Sequence, residues 1–226
     1  MDGFLLLFDL DGTLIDSVPD LCGALNQVLR EYGRPPLSPR EVRPMIGDGV
    51  AALVARGLAA RGLDAATARA ALSRYVEIYE ANSANLTRPY PHVRETLLLL
   101  RRRGYRTAVC TNKLHQATLT VLRALGLLPL FDGFAGGDRY PVKKPDPGHL
   151  LALIREVGGR AERTVMIGDH ENDAAAGRAA GLPVILMRYG YARGDLRELA
   201  ADALLDDFAE LPPALERLGL TSSAQG

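Results

Sequence analysis

Two cysteines in 226 residues exclude a disulfide framework, and their positions, Cys22 and Cys110, give no metal-ligand spacing. An excess of either charge is also missing. The 27 basic and 27 acidic residues leave a formal net charge of zero, so no global field draws nucleic acid or an anionic membrane surface. Any affinity for an anion must therefore be local. Long apolar runs are absent as well: the leucines at 97–100 are followed at once by Arg101-Arg102-Arg103, far short of the roughly 20 residues that a membrane helix needs. The opening Met1-Asp2-Gly3 has no basic region, and the apolar run behind it is too short for a secretory signal. These absences predict a cytoplasmic protein without nucleic-acid or membrane partners. They leave open whether it is a monomer or a homodimer.

What is present is an ordinary globular composition, 47% hydrophobic and 24% charged. The length suits one domain, or a core with a smaller insertion. Short apolar runs at 4–8, 107–110, 164–167, 183–187 and 203–205 read as strands, most of them buried on both faces. Between them, helical patterns at 92–103, 114–125, 149–157 and 173–180 end at glycines. This alternation predicts a doubly wound, parallel, Rossmann-like α/β sheet with right-handed crossovers. Residues 18–85 break the rhythm with helical patterns at 19–32, 39–45, 49–61 and 65–82 and no convincing strand. They predict a helical cap inserted after the first strand, leaving 1–17 and 86–226 as the core. A cap so placed would lie over the end of that strand. Residues 221–226 read as a small polar tail.

Four short motifs stand out, three of them directly after strands of this predicted sheet. The first, Asp9-Leu10-Asp11-Gly12-Thr13, puts two carboxylates where a strand end faces the crevice in which open α/β sheets bind ligands. Thr111-Asn112-Lys113 ends the second strand with hydroxyl and amide donors suited to a phosphoryl oxygen. In Lys143-Lys144-Pro145 a lysine held by a following proline brings a fixed charge, and the two adjacent lysines leave open which one does so. Gly168-Asp169-His170-Glu171-Asn172-Asp173 follows the third strand. Asp169 there can join Asp9 around a hard cation, and Asp173 would lie one helical turn on, supporting the site from behind.

In this order the motifs resemble those of the haloacid dehalogenase superfamily, most of whose members are magnesium-dependent phosphatases. The stretches Arg88-Pro89-Tyr90-Pro91, Phe131-Asp132-Gly133, Gly136-Gly137-Asp138 and Tyr189-Gly190-Tyr191 further resemble its phosphoglycolate phosphatase-like subfamily. The resemblance implies Mg²⁺ on Asp9, the backbone carbonyl of Asp11, and Asp169. It implies Asp9 as nucleophile, forming an aspartyl-phosphate, and Asp11 as general acid and then base. Thr111, Asn112 and Lys144 would hold the phosphoryl oxygens, with Thr13 also contacting the substrate. Because a departing halide needs no proton, Asp11 argues against dehalogenation. In the cap, Met45-Ile46-Gly47-Asp48-Gly49 with Arg56 is similar to the subfamily's substrate loop. By that analogy Gly47, Asp48 and Gly49 would offer backbone N–H groups, and Arg56 a guanidinium, to a substrate carboxylate. The implied partner is a small-molecule phosphate, 2-phosphoglycolate first, with sugar phosphates, pyrophosphate or a β-phosphoglucomutase-like isomerisation as alternatives. Three residues depart from the subfamily pattern: Leu114, Arg139 and His170, the last either a bystander or an influence on the pH response.

Overall fold

The computed structural model describes residues 3–222. Strand β1, Leu5–Phe8, is buried along its whole length. It pairs in parallel with β4, Arg106–Cys110, on one side and with β6, Thr164–Gly168, on the other. Beyond them lie β5 (Gly133–Ala135), β7 (Val184–Met187) and β8 (Ala203–Leu205), completing the order β5-β4-β1-β6-β7-β8 with every pairing parallel. Five of these strands were expected. The sixth, β5, is a three-residue edge strand beginning at a glycine, too short for a periodic signal.

Both faces of the sheet are covered, which is why its strands read as continuous apolar runs. Leu6 and Phe8 face one layer, with leucines of helix α5 (Val93–Arg102) and a C-terminal helix, α9 (Leu211–Arg217). Leu5 and Leu7 face the other, formed by helices α7 (Pro147–Glu156) and α8 (Glu171–Ala179). Helix α6, His115–Ala124, adds Val121 and Leu122 to the first layer. Helix α9 lay beyond the predicted elements. Residues 223–226 of the polar tail fall outside the described part, but Ser222 accepts a 2.7 Å hydrogen bond from the Phe4 backbone N–H.

Between β1 and α5 the chain passes through a two-stranded antiparallel neck, β2 (Ile15–Asp16) with β3 (Arg88–Pro89). Four helices lie beyond it: α1 (Val18–Glu31), α2 (Pro39–Val42), α3 (Val50–Ala59) and α4 (Ala65–Asn82). They have their own apolar core, centred on Leu25, Leu29, Leu53, Val54, Leu58 and Tyr75. The pattern at 39–45 splits into α2 and a 3₁₀ turn over Arg43–Met45, because Pro44 cannot continue an α-helical hydrogen-bond ladder. Asp20 fastens the returning chain by accepting from the backbone N–H groups of Leu86 and Thr87. Among the described residues, no helix is long and apolar enough to cross a membrane.

Candidate active site

Since all six strands run in parallel, their C-terminal ends share one edge of the sheet. The three central strands, β4, β1 and β6, deliver Thr111, Asp9 and Asp169 there, side by side. Asp9 continues the ladder by donating its N–H to Ile167 O at 2.9 Å. Gly12 then turns the chain with a φ of 94°, a conformation that L side chains seldom adopt. A Cβ at Gly12 would also collide with the Asp169 carboxylate. The glycine is therefore needed both for the turn and for the close approach.

Three buried carboxylates, Asp9, Asp169 and Asp173, bring oxygens within 4.8 Å of one another. Lys144 Nζ sits among them, 2.6 Å from Asp173 Oδ1 and 2.9 Å from Asp9 Oδ1. Its neighbour Lys143 instead donates to Asp48 O, 2.7 Å away on the cap. Burial alone would lower the Lys144 pKa, but Asp173 and Asp9 outweigh it and raise the value. Burial raises the Asp169 carboxyl well above the usual range, aided by the charges of Asp173 and Asp9. Asp9 is raised too, chiefly by burial, with Lys144 opposing.

Asp173 has little free capacity. Besides Lys144, it accepts from the backbone N–H groups of Asp169 and His170, both at 3.0 Å. Asp169 accepts from the Thr13 hydroxyl and the Tyr191 N–H, each at 2.6 Å, one per oxygen. Each Asp169 oxygen keeps a second lone pair. Asp9 Oδ1 is buried without an aligned hydrogen bond. Hard, oxygen-only donors of this kind fit a divalent cation of the Mg²⁺ class, with Asp9 and Asp169 as the available carboxylates.

Other expected site residues fall into two groups. Asp9, Asp11, Thr111, Asn112, Gly47 and Gly49 line one small cavity of about 50 Å³ between core and cap. The Asn112 amide, however, donates to Gly47 O at 2.9 Å and Lys144 O at 2.8 Å, tying loops together rather than pointing a free N–H inward. Thr13 is directed at Asp169 instead of at a substrate. Asp48 and Arg56 form part of a clasp: the Asp48 carboxylate takes Arg56, Arg193 and the Asn172 amide, and Arg56 also donates to Met45 O at 2.9 Å. Burial would raise the Asp48 pKa, yet these hydrogen bonds bring it down to about 2. The clasp joins the cap to the loop after β7, and neither Asp48 nor Arg56 lines the cavity. His170 packs beneath Gly47, where its ring fills the place of a side chain, and its Nδ1 accepts from Asn172 N–H at 3.2 Å.

Three residues without an expected role belong to this site. Lys113 Nζ lies 3.0 Å from each Asp11 carboxylate oxygen. Tyr191 orients Asp169 through its N–H and bonds Asp16 through its hydroxyl at 2.8 Å. Arg193 completes the clasp. The neighbouring Gly190 is the signal that could have revealed Tyr191, since a Cβ there would strike Asp169.

Buried His149, in the first turn of α7, gives the site a pH signature. Burial first, and the nearby Lys144 charge next, lower its pKa to about 4. The unfolded chain then binds more protons than the native one from about pH 6.5 down to about 4, so stability falls on acidification through that window. Urea unfolding is expected to show a loss of about 2 kcal/mol between pH 6.5 and 5 from this group. The measurement is the slope in His149→Gln, which should be flatter; an unchanged slope would assign the effect elsewhere.

Known proteins share both sequence and geometry. A family model described as haloacid dehalogenase-like hydrolase matches residues 5–181. A phosphoglycolate phosphatase of Caulobacter vibrioides is 43% identical, covering 95% of this chain and 91% of the relative. One of Rhodospirillum rubrum is 39% identical, covering 96% and 95%. A crystal structure described as a predicted phosphoglycolate phosphatase from Haemophilus somnus superposes with a TM-score of 0.88 at 32% identity, covering 94% of this chain and 98% of that one. With carboxylates, buried lysine and glycine turn converging at the strand ends, and likeness extending over nearly the whole chain, this protein belongs to the haloacid dehalogenase-like hydrolases.

Proposed function

We propose that the protein is a Mg²⁺-dependent phosphatase that converts 2-phosphoglycolate to glycolate and phosphate. The observation that carries this reading is the placement of Asp9 beside the buried Lys144 and Asp169, lining a cavity that Asp11 also lines. Phosphoglycolate phosphatases at 37–43% identity support the substrate.

Asp9 attacks phosphorus in line, and its carboxylate becomes the aspartyl-phosphate. Lys144 offsets the charge of nucleophile and phosphoryl oxygens from a fixed position, and the Thr111 hydroxyl adds a donor. Asp173 keeps Lys144 protonated and in place. Asp11 protonates the departing alkoxide and then accepts a proton from the hydrolytic water. Asp9, Asp169 and the backbone carbonyl of Asp11 would hold Mg²⁺, which when bound would supply Lewis-acid neutralisation of the transferring group. Residues 18–85 act as a cap; the cavity beneath is small and mostly apolar, which suits a two-carbon leaving group better than a hexose. Two free, buried cysteines suit a reducing cytoplasm.

The test is phosphate release from 2-phosphoglycolate with Mg²⁺, against β-glucose 1-phosphate and pyrophosphate. A kcat/KM on the order of 10⁴ M⁻¹s⁻¹ or more, lost in EDTA, is the expected result. A clear preference for either rival would keep the chemistry and overturn the substrate. Interconversion of the sugar phosphate without phosphate release would mean an isomerase.

A further inference from the structure

We infer that Lys113 is the residue that binds the carboxylate of the substrate and so sets the preference for a carboxylated phosphate ester. The inference rests on the phosphatase reading above and adds the group that recognises the acid.

A substrate of the form phosphate–O–CH₂–CO₂⁻ carries its carboxylate one methylene from the ester oxygen. The group that grips it must therefore stand next to the acid that protonates that oxygen. Lys113 does: its Nζ lies 3.0 Å from both carboxylate oxygens of Asp11. Among the described residues that line the cavity, Lys113 is the only cation. The other cations nearby do not line the cavity and point elsewhere. Arg56 and Arg193 hold the Asp48 carboxylate, Lys143 donates to Asp48 O, and Lys144 serves Asp9 and Asp173.

Lys113 also has room for a second anion beside Asp11. Its side chain is almost fully buried, and Nζ stands 4.7 Å from the centre of the Tyr79 ring. The ring face adds a favourable contact to the ammonium without bringing a hydrogen-bond acceptor's charge to it. Nζ has three donors, and Asp11 takes two of them. The third is available for a substrate oxygen, and the apolar walls of Val50, Leu53 and Tyr75 keep the contact dry and strong.

Lys113→Met should be compared with wild type on 2-phosphoglycolate and on ethyl phosphate, which has the same skeleton without the charge. The wild-type preference for 2-phosphoglycolate, as a ratio of kcat/KM values, is expected to fall about 10- to 100-fold, mostly through KM. Competitive inhibition by glycolate should weaken in parallel, and Lys113→Arg should keep part of the preference. If Lys113 only positions Asp11, both substrates lose kcat together, the ratio stays, and the inference is overturned. It is overturned equally if Arg56→Met, not Lys113→Met, collapses the ratio. A wild-type enzyme with no preference for 2-phosphoglycolate would instead remove the substrate reading, and this inference with it.

Discussion

Asp9→Asn is expected to lower kcat on 2-phosphoglycolate by about 10⁴-fold or more without unfolding the protein. A neutral amide oxygen lacks the charge that makes a carboxylate nucleophilic toward phosphorus, so the covalent step is lost rather than slowed. The fold should tolerate the change for reasons visible around the residue. Burial raises the Asp9 pKa, so the ionised form is a liability in the metal-free protein. Asparagine has nearly the same shape, and Lys144 keeps its 2.6 Å contact with Asp173. The thermal midpoint of the metal-free variant should thus match or exceed that of the wild type. Asp11→Asn makes the informative comparison. It should slow both release of the alcohol and breakdown of the intermediate, while Asp9→Asn prevents the intermediate from forming. Acid-quenched protein labelled from phosphate-radiolabelled substrate separates the two. A loss of only a fewfold for Asp9→Asn would mean that Asp9 is not the nucleophile.

The sheet and its four motifs were legible because each depends on local signals. Leu5 to Phe8 is a strand by composition, and Gly12 and the proline after Lys144 punctuate loops whatever lies across from them. The contacts that decide what each site residue does join distant parts of the chain. Thr13 meets Asp169 across 156 positions, and Lys113 meets Asp11 across 102. No periodicity encodes such pairings. That is why Thr13 read as a substrate contact and Lys113 had no role. Arg56 shows the same gap inside the cap: its helix was apparent, its commitment to Asp48 was not. Strand β5 and the neck were missed for a different reason. Three-residue and two-residue strands form because the neighbouring ladder recruits them, as Thr111 N–H does with Ala135 O, and not through propensity of their own.

Asp169 offers the second large effect, and here stability and activity should move in opposite directions. Asp169→Asn is expected to cut kcat by about 10³-fold or more by removing one of two carboxylates available to the metal. The variant keeps its local bonds, since its amide oxygen can accept from Tyr191 N–H while its NH₂ faces the Thr13 hydroxyl. In the wild type, burial and the charges of Asp173 and Asp9 raise the Asp169 pKa well above 3.8. A raised carboxyl binds more protons in the native than in the unfolded state, so metal-free stability falls as pH climbs above about 4 toward the folded value. Metal-free Asp169→Asn should escape much of that fall and be the more stable protein near neutrality. Mg²⁺ reverses the order. At a hundred times its dissociation constant it adds about 2.7 kcal/mol to the wild type, a rise of roughly 5–10 °C in Tm, and little to the variant. Because the cation must displace protons to bind, the wild-type shift should also grow with pH. Thermal melts of both proteins at pH 6 and 8, with Mg²⁺ or EDTA, decide the matter. Equal Mg²⁺ shifts in the two would place the ion away from Asp169, whereas a shift confined to the wild type ties both the stabilisation and the catalysis to this carboxylate.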